Sequence, residues 1–386
     1  MKNMLIVSYS YLQRDPRIQR QIKTFSASFH IETIGLSPAN DDIKNYLPKK
    51  GHVSDKKYTI QNAFILIKMI LGNYGEIFYH RIIKPYFDYD LSKPDMIIAN
   101  DWLGLLVATG LNKYLNWNSK IYFDSHEYFP EYRNSLEWKI LSKPRITYVL
   151  KKSRDSFDIM STVCPSFARK YEKYYHFEPG TVRVITNAPE YEPGLKPRPT
   201  GEKIRIIHHG IAFPLRKLEN MIDIMDYLPE DEYELYFMLV KNDKAYYEEM
   251  VRYASKHSNI HFLEPVPFRE ISSFINQFDI GLNLVTADNV SYKYALPNKF
   301  FEYVQGRLAI AVGDSYEMKQ YISKYDLGVA AEENTARAVA EEIRKMSRED
   351  IMRCKQNAHK HARELSAETN MMTLRKIAED LLGKTF

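Results

Sequence analysis

Asp279-Ile-Gly-Leu-Asn-Leu284, followed after a polar loop by Tyr294-Ala-Leu-Pro-Asn-Lys-Phe-Phe-Glu-Tyr303, decides how the second half of this 386-residue chain reads. The first piece is an apolar run of strand length. The second opens a helix, with Pro297 suited to the first helical position because its missing N–H costs nothing there. The backbone N–H groups of Asn298 and Lys299 then lack acceptors inside the helix. Together with the helix dipole they favour an anion such as a diphosphate. Glu302 follows Asn298 by four residues, on the same helical face. A carboxylate there can accept both hydroxyl protons of a ribose diol. On spacing alone, a plain helix start with a solvated Glu302 stays open.

Working outward, short apolar runs alternate with amphipathic stretches, the pattern of βα units and parallel sheets. Strands are expected near Met4–Ser8, Ile31–Ile34, Asp95–Ala99, Lys120–Phe123, Ile159–Val163 and Val182–Ile185. Helices are expected over Pro16–Ser28 and Leu103–Tyr114. Glu190–Glu202 holds three prolines and two glycines and reads as a linker. Beyond it, strands are expected at Ile204–His208, Leu235–Leu239, Ile260–Phe262, Ile280–Leu284 and Ala309–Val312. The matching helices are Arg216–Tyr227, Lys244–Ser255, Arg269–Asn276, Pro297–Gln305 and Ala336–Met346, before a helical tail over Arg348–Leu382. The fold class is therefore α/β, with two Rossmann-like doubly wound domains facing across a cleft. The expected domains are 1–189 and 203–366, with a C-terminal helix at about 367–386 crossing back to the first.

His208-His-Gly-Ile-Ala-Phe-Pro-Leu-Arg-Lys-Leu-Glu219 is the second informative stretch. A strand runs into a glycine turn, and a helix is expected to begin at Arg216-Lys217. Gly210 lets backbone approach a ligand closely. Arg216 offers a bidentate fork for phosphate and Lys217 a point charge. Cations at a helix N-terminus oppose the dipole, so an anion between them would account for the pair. The alternative is an ordinary basic pair on a first turn.

In this order the two stretches resemble the donor domain of GT-B glycosyltransferases, specifically the large retaining family 4. That family shows a strand, a glycine turn and an Arg/Lys pair, then a Pro-Asn-Lys-x-x-Glu-Tyr helix, a glycine and an apolar strand. Here the last part reads Pro297-Asn-Lys-Phe-Phe-Glu-Tyr-Val-Gln-Gly306, then Leu308-Ala-Ile-Ala-Val312. The first half matches too, through Arg14-Asp-Pro-Arg-Ile18, Asp124-Ser-His-Glu127, Val163-Cys-Pro-Ser166 and Val184-Ile-Thr-Asn-Ala-Pro189. The resemblance implies that Arg216 and Lys217 bind the donor diphosphate, with Gly210, Pro297, Asn298 and Lys299 beside it. It implies that Glu302 holds the ribose, that Val266 sits by the base, and that His126 faces the transferred sugar or acceptor. For His126 a hydrogen-bonded core histidine remains the alternative. Ser8, Tyr9, Arg14 and Glu127 fall on the acceptor side.

The implied activity is transfer of a hexose-type sugar from a UDP- or GDP-linked donor to a glycan or lipid-linked acceptor, with retention, in surface polysaccharide or glycolipid synthesis. No cofactor or metal is expected, because Arg, Lys and a helix N-terminus neutralise the leaving diphosphate in GT-B enzymes. Two departures from the family pattern stand out. Tyr294 occupies a position where many members have a glutamate that reaches the donor sugar. Ser8-Tyr-Ser-Tyr11 replaces the glycine-rich turn after the first strand. A sugar-nucleotide 2-epimerase, with Glu127 and Glu131 as the acid/base candidates, and a non-catalytic GT-B partner subunit are the other readings.

Composition sets outer bounds. With 45% hydrophobic and 27% charged residues the chain is globular, and no apolar run reaches transmembrane length. Met1–Ser10 is too short in apolar residues for a signal peptide and reads as a buried strand. Cys164 and Cys354 cannot build a disulfide framework, and a reducing cytoplasm is expected. Residues 1–190 carry a net +8 and residues 191–386 a net −3. The basic half has an anionic membrane surface as candidate partner, centred on the acid-free run Trp138–Arg154 with Phe64–Leu71 and Tyr79–Phe87 adding apolar residues. A core helix with a solvated basic face is the alternative. Location on the inner membrane face follows from the first reading. No nucleic-acid-binding signature is present. Asp88-Tyr-Asp90 copies a metal-binding triplet of a different fold, and a helix would turn His359 away from Cys354 and His361, so neither is taken as a metal site.

Overall fold

The computed structural model describes residues 1–47, 72–284, 293–383 and 385, so Phe64–Leu71 lies outside the described residues. Two compact units form: Met1–Ile185 with Met371–Phe386, and Thr186–Asn370.

The first unit is built on a seven-stranded sheet of order β3-β2-β1-β4-β5-β6-β7. Its strands are β1 Lys2–Val7, β2 Phe29–Ile34, β3 Asn45–Tyr46, β4 Met96–Asn100, β5 Lys120–Ser125, β6 Ile159–Thr162 and β7 Arg183–Val184. Every pairing is parallel, with Met4 opposite both Ile31 and Met96, and Asn100 opposite Asp124. Parallel strands covered on both faces carry unbroken apolar runs, as Met4–Val7 and Met96–Ala99 do. The Pro16–Phe25 helix starts with Pro at N1, and the Asp15 side chain accepts the Arg17 and Ile18 N–H groups. It buries Ile18, Ile22 and Phe25 against the sheet. Gly104, in the Asp101–Tyr114 helix, faces β1 so closely that a Cβ would lie 2.8 Å from the Val7 carbonyl. The final helix, Ala367–Leu382, puts Leu374, Ile377 and Ala378 into the same core as Met4 and Ile6.

The second unit has a six-stranded parallel sheet of order β10-β9-β8-β11-β12-β13. Its strands are β8 Ile204–Ile211, β9 Tyr233–Val240, β10 Ile260–Leu263, β11 Ile280–Asn283, β12 Ala309–Val312 and β13 Gly328–Ala330. Segment 190–202 is fastened inside this unit. The Glu192 N–H donates to Gln305 Oε1 (3.2 Å), its carbonyl accepts from Arg307 (2.6 Å), and Arg198 donates to Asn276 (3.0 Å).

Three expected elements differ in detail. The helix expected over Arg216–Tyr227 is broken. A single 3-10 turn, Pro214–Arg216, ends at Lys217 in left-handed conformation, and the helix starts at Glu219 before tightening to 3-10 over Asp223–Tyr227. The Leu218 N–H is taken by the Tyr246 hydroxyl at 2.9 Å, which fixes the break. Pro297 is the cap rather than the first helical residue: its ψ is 157°, and its carbonyl accepts the Phe300 N–H. The tail is two helices, Arg348–His361 and Ala367–Leu382.

Candidate functional site

In the second sheet the strand order reverses between β8 and β11, where a doubly wound sheet opens a crevice at its carboxyl ends. β8 delivers His208, His209 and Gly210 there. His208 is fully buried, and its Nδ1 donates to the Leu282 carbonyl on β11 at 2.9 Å. That bond fixes the tautomer and leaves Nε2 as the acceptor for Lys299 Nζ at 3.2 Å. Burial, then the Lys299 charge, holds His208 well below the ordinary histidine range, so the ring is neutral. Lys299 itself is pushed down to about 7, by burial first and by Arg216 second.

Gly210 has φ +142°, and a Cβ there would sit 3.2 Å from Arg216 Nη1 and 3.4 Å from Lys299 Nζ. Two cations therefore converge over bare backbone, beside the first turn of the Asn298–Gln305 helix. An anion placed there would relieve the repulsion between them. Arg216 also donates to the Ile211 carbonyl at 3.3 Å. One turn along the helix, Glu302 is 4% exposed rather than solvated, with Oε2 3.3 Å from His209 Nε2. Burial, then Lys299, lowers His209 to about 3, so this ring is neutral too. Tyr303 lies edge-on to His209 and donates to the Leu282 carbonyl at 2.9 Å.

Gly210, Arg216, Lys299 and Glu302 thus come together around the end of β8, with Pro297 and Asn298 at the helix entrance. Lys217 is not a first-turn helical residue: it is exposed, with a left-handed backbone, φ +47°. Val266 is half-exposed in the loop after β10, at the sheet edge. Tyr294 packs edge-on against Tyr316, with ring centroids 5.5 Å apart.

The first sheet reverses between β1 and β4, and again polar residues gather at the carboxyl ends. Asp124, at the end of β5, is fully buried. It accepts two bonds from Arg17 (2.7 and 2.6 Å), one from Gln21 (3.0 Å) and one from Ser161 (2.6 Å). Burial would raise its carboxyl, but Arg17 above all, with His126, holds it below the usual carboxylate range. His126 lies between two carboxylates, Nδ1 3.3 Å from Asp101 and Nε2 3.5 Å from Asp124. Glu127, next in sequence, is pushed up to about 7 by burial and by Asp101. Ser8 and Tyr9 follow β1. The Ser8 hydroxyl meets Ser10 at 3.0 Å, and the Tyr9 hydroxyl meets Tyr86 at 3.0 Å. Arg14 is exposed in the turn before the first helix; its neighbour Arg17 is the arginine that reaches the buried cluster.

Sequence reasoning did not assign roles to His208, His209, Arg17, Asp101 or Asp124. One signal was available: capping by Asp15 sets a helical register that puts Arg17 and Gln21 on one face. Within the basic run, Trp138, Ile146, Val149 and Leu150 are buried, so they do not form an apolar outer face. Among the described residues of this region, Leu136 (73% exposed) and Ile140 (56%) are the large apolar side chains left outside, near exposed Lys139, Lys151, Lys152 and Arg154 in the sequence. No described helix is long and apolar enough to cross a membrane. Cys354 is buried, while His359 accepts from Arg307 Nε at 3.1 Å.

No protein-family model matches the sequence, and no curated protein matches it. Solved structures do match over nearly the whole chain. Sucrose-phosphate synthase from Thermosynechococcus elongatus superposes with a TM-score of 0.70 at 12% identity, over 99% of this chain and 100% of that one. Anabaena HepE, solved in complex with UDP and glucose, gives 0.67 at 10% identity over the same shares. WaaG, a glycosyltransferase involved in lipopolysaccharide biosynthesis, gives 0.63 at 14% identity, again over 99% and 100%. The chain has the GT-B glycosyltransferase fold: two parallel α/β units of Rossmann type.

Proposed function

We propose that this chain is a glycosyltransferase that moves a hexose-type sugar from a UDP- or GDP-linked donor to a glycan or lipid-linked acceptor, with retention, in surface polysaccharide or glycolipid synthesis. The observation that carries this is the convergence of Arg216 and Lys299 over Gly210, one helical turn from the buried Glu302. As the bond between the sugar and the diphosphate breaks, negative charge grows on the leaving phosphate. Arg216, Lys299 and the N–H groups of Asn298 and Lys299 are fixed donors for that charge. Glu302 accepts from the ribose hydroxyls, and Val266 borders the base. His126 meets the transferred sugar or the acceptor, with Ser8, Tyr9 and Glu127 on the acceptor side. HepE with UDP and glucose bound, and WaaG in lipopolysaccharide biosynthesis, support the donor class and the type of pathway.

These cations make metal unnecessary in this reading, and unchanged turnover in EDTA is the expected result. Peripheral attachment to the inner face of a membrane rests on Leu136, Ile140 and the surrounding lysines; the expected observation is salt-sensitive binding to anionic vesicles. Absence of binding at low salt would remove that part. A thermal-shift screen of UDP- and GDP-sugars tests the donor, because a ligand bound to the native state raises its apparent stability. A 2-epimerase is the second reading, favoured by one observation, a Glu127 carboxyl poised near neutrality. Product analysis separates the two: a transferred or hydrolysed sugar against an epimerised nucleotide sugar.

A further inference from the structure

We infer that Asp101 is the positioning residue for His126: its one carboxylate reaches both the backbone and the ring of that histidine and sets the orientation of the imidazole. The inference rests on the reading above, in which His126 meets the transferred sugar or the acceptor.

Asp101 opens the helix that follows β4, and its φ is +58°, the left-handed region that non-glycine residues seldom occupy. The conformation turns its side chain toward β5. There Oδ1 accepts the His126 backbone N–H at 2.9 Å, while Oδ2 lies 3.3 Å from Nδ1 of the same residue. A single carboxylate thus fixes where the histidine starts and which way its ring faces.

On the other side, Asp124 accepts from Arg17, Gln21 and Ser161, and its Oδ2 lies 3.5 Å from Nε2. Nε2 is buried and faces this cluster. Asp101 is therefore the carboxylate that holds this residue at both backbone and ring, whereas Asp124 approaches the ring alone. The charged groups acting on the ring are Asp101, Asp124 and Arg17, with Glu127 adjacent. Burial works against a charged imidazole, but Asp101 first, then Asp124, outweigh it and hold the ring's proton more tightly than usual, with Arg17 opposing.

Asp101→Asn is the discriminating variant. Asparagine tolerates the left-handed backbone, and its amide oxygen can still accept the His126 N–H, so the backbone bond is kept while the ring faces an NH2 group in place of the charged oxygen. Asp101→Gly relieves the backbone and removes the side chain. The full-length protein is titrated by NMR through its histidine ring resonances, with His126 assigned by mutation. We expect the His126 midpoint to fall by about one pH unit or more in both variants, the usual scale for losing a carboxylate at this range. An unchanged midpoint in Asp101→Asn would overturn the inference. In sugar transfer, kcat falls at least about tenfold with donor KM unchanged, and the pH profile moves with the NMR midpoint. If neither wild type nor variant turns over any nucleotide sugar while the midpoint still falls, the functional reading fails and the positioning role stands.

Discussion

At Lys299, burial and the Arg216 guanidinium both act against the ammonium form, and Glu302 only partly offsets them. A bound diphosphate reverses that balance. Lys299 in the free protein is about half protonated near pH 7, and a nucleotide sugar would hold it protonated well above that. Binding should therefore take up a proton. Affinity should be full below about pH 7 and weaken by up to about tenfold per pH unit above it. Calorimetric titration of UDP-glucose, or of whichever sugar nucleotide binds, in two buffers of different ionisation heat measures this; proton release would contradict it. For folding the sign is opposite. The unfolded chain keeps this lysine protonated up to about pH 10.5. The residue therefore lowers the stability of the ligand-free protein at and below neutrality, and that loss fades as pH rises from about 7 toward the unfolded value. In the first unit, Arg17→Met would leave Asp124 buried without its partner. Removing one member of a buried pair costs about 3–5 kcal/mol, to be read from denaturant unfolding; a loss under about 1 kcal/mol would mean that Gln21 and Ser161 suffice.

Among the elements, the buried parallel strands were legible because an apolar run bounded by turn residues has few alternative uses. β4, β5, β11 and β12 fall within a residue or two of the expected positions. β3 and β13, with two and three residues, carry no pattern that could reveal them. β13 depends on Gly328, whose φ is +154° and whose Cβ would collide with the Ile310 carbonyl. Gly328→Ala should therefore cost at least about 1–3 kcal/mol and loosen the β12–β13 edge, seen as faster amide exchange at Ile310 and Ala331, whose N–H groups bridge the two strands. The break after Arg216 has no signature in the sequence, for a physical reason. A basic pair after a proline looks like a helix start, whereas here a 3-10 turn closes at Lys217 in left-handed conformation. The helix carrying Asn298 and Glu302 was legible because their four-residue spacing sets one face. Asp101 was not, because a left-handed backbone at an aspartate has no periodic signature.

For the whole molecule, the last helix ties the C-terminus to the first unit through Leu374, Ile377 and Ala378. Ending the chain at residue 370 should expose Met4, Ile6 and Ile18 and remove about 1.5–3 kcal/mol per lost large apolar side chain. The first unit's unfolding transition should then fall, with the second unit's nucleotide binding retained; equal loss in both would mean that the units do not unfold separately. The two doubly wound units were readable from the alternation of strands and helices. Arg216, Lys299 and Glu302 are separated by up to 86 residues, and only the β8–β11 reversal brings them to one place. The most direct test of that constellation is nucleotide-sugar stabilisation of the full chain compared with Arg216→Ala and Glu302→Ala. At saturating sugar nucleotide the wild type should gain several degrees in Tm, about 2.7 kcal/mol at a hundredfold excess over Kd. Each variant should lose most of that gain while keeping its ligand-free Tm within a few degrees. Stabilisation that survives both substitutions undiminished would contradict the site.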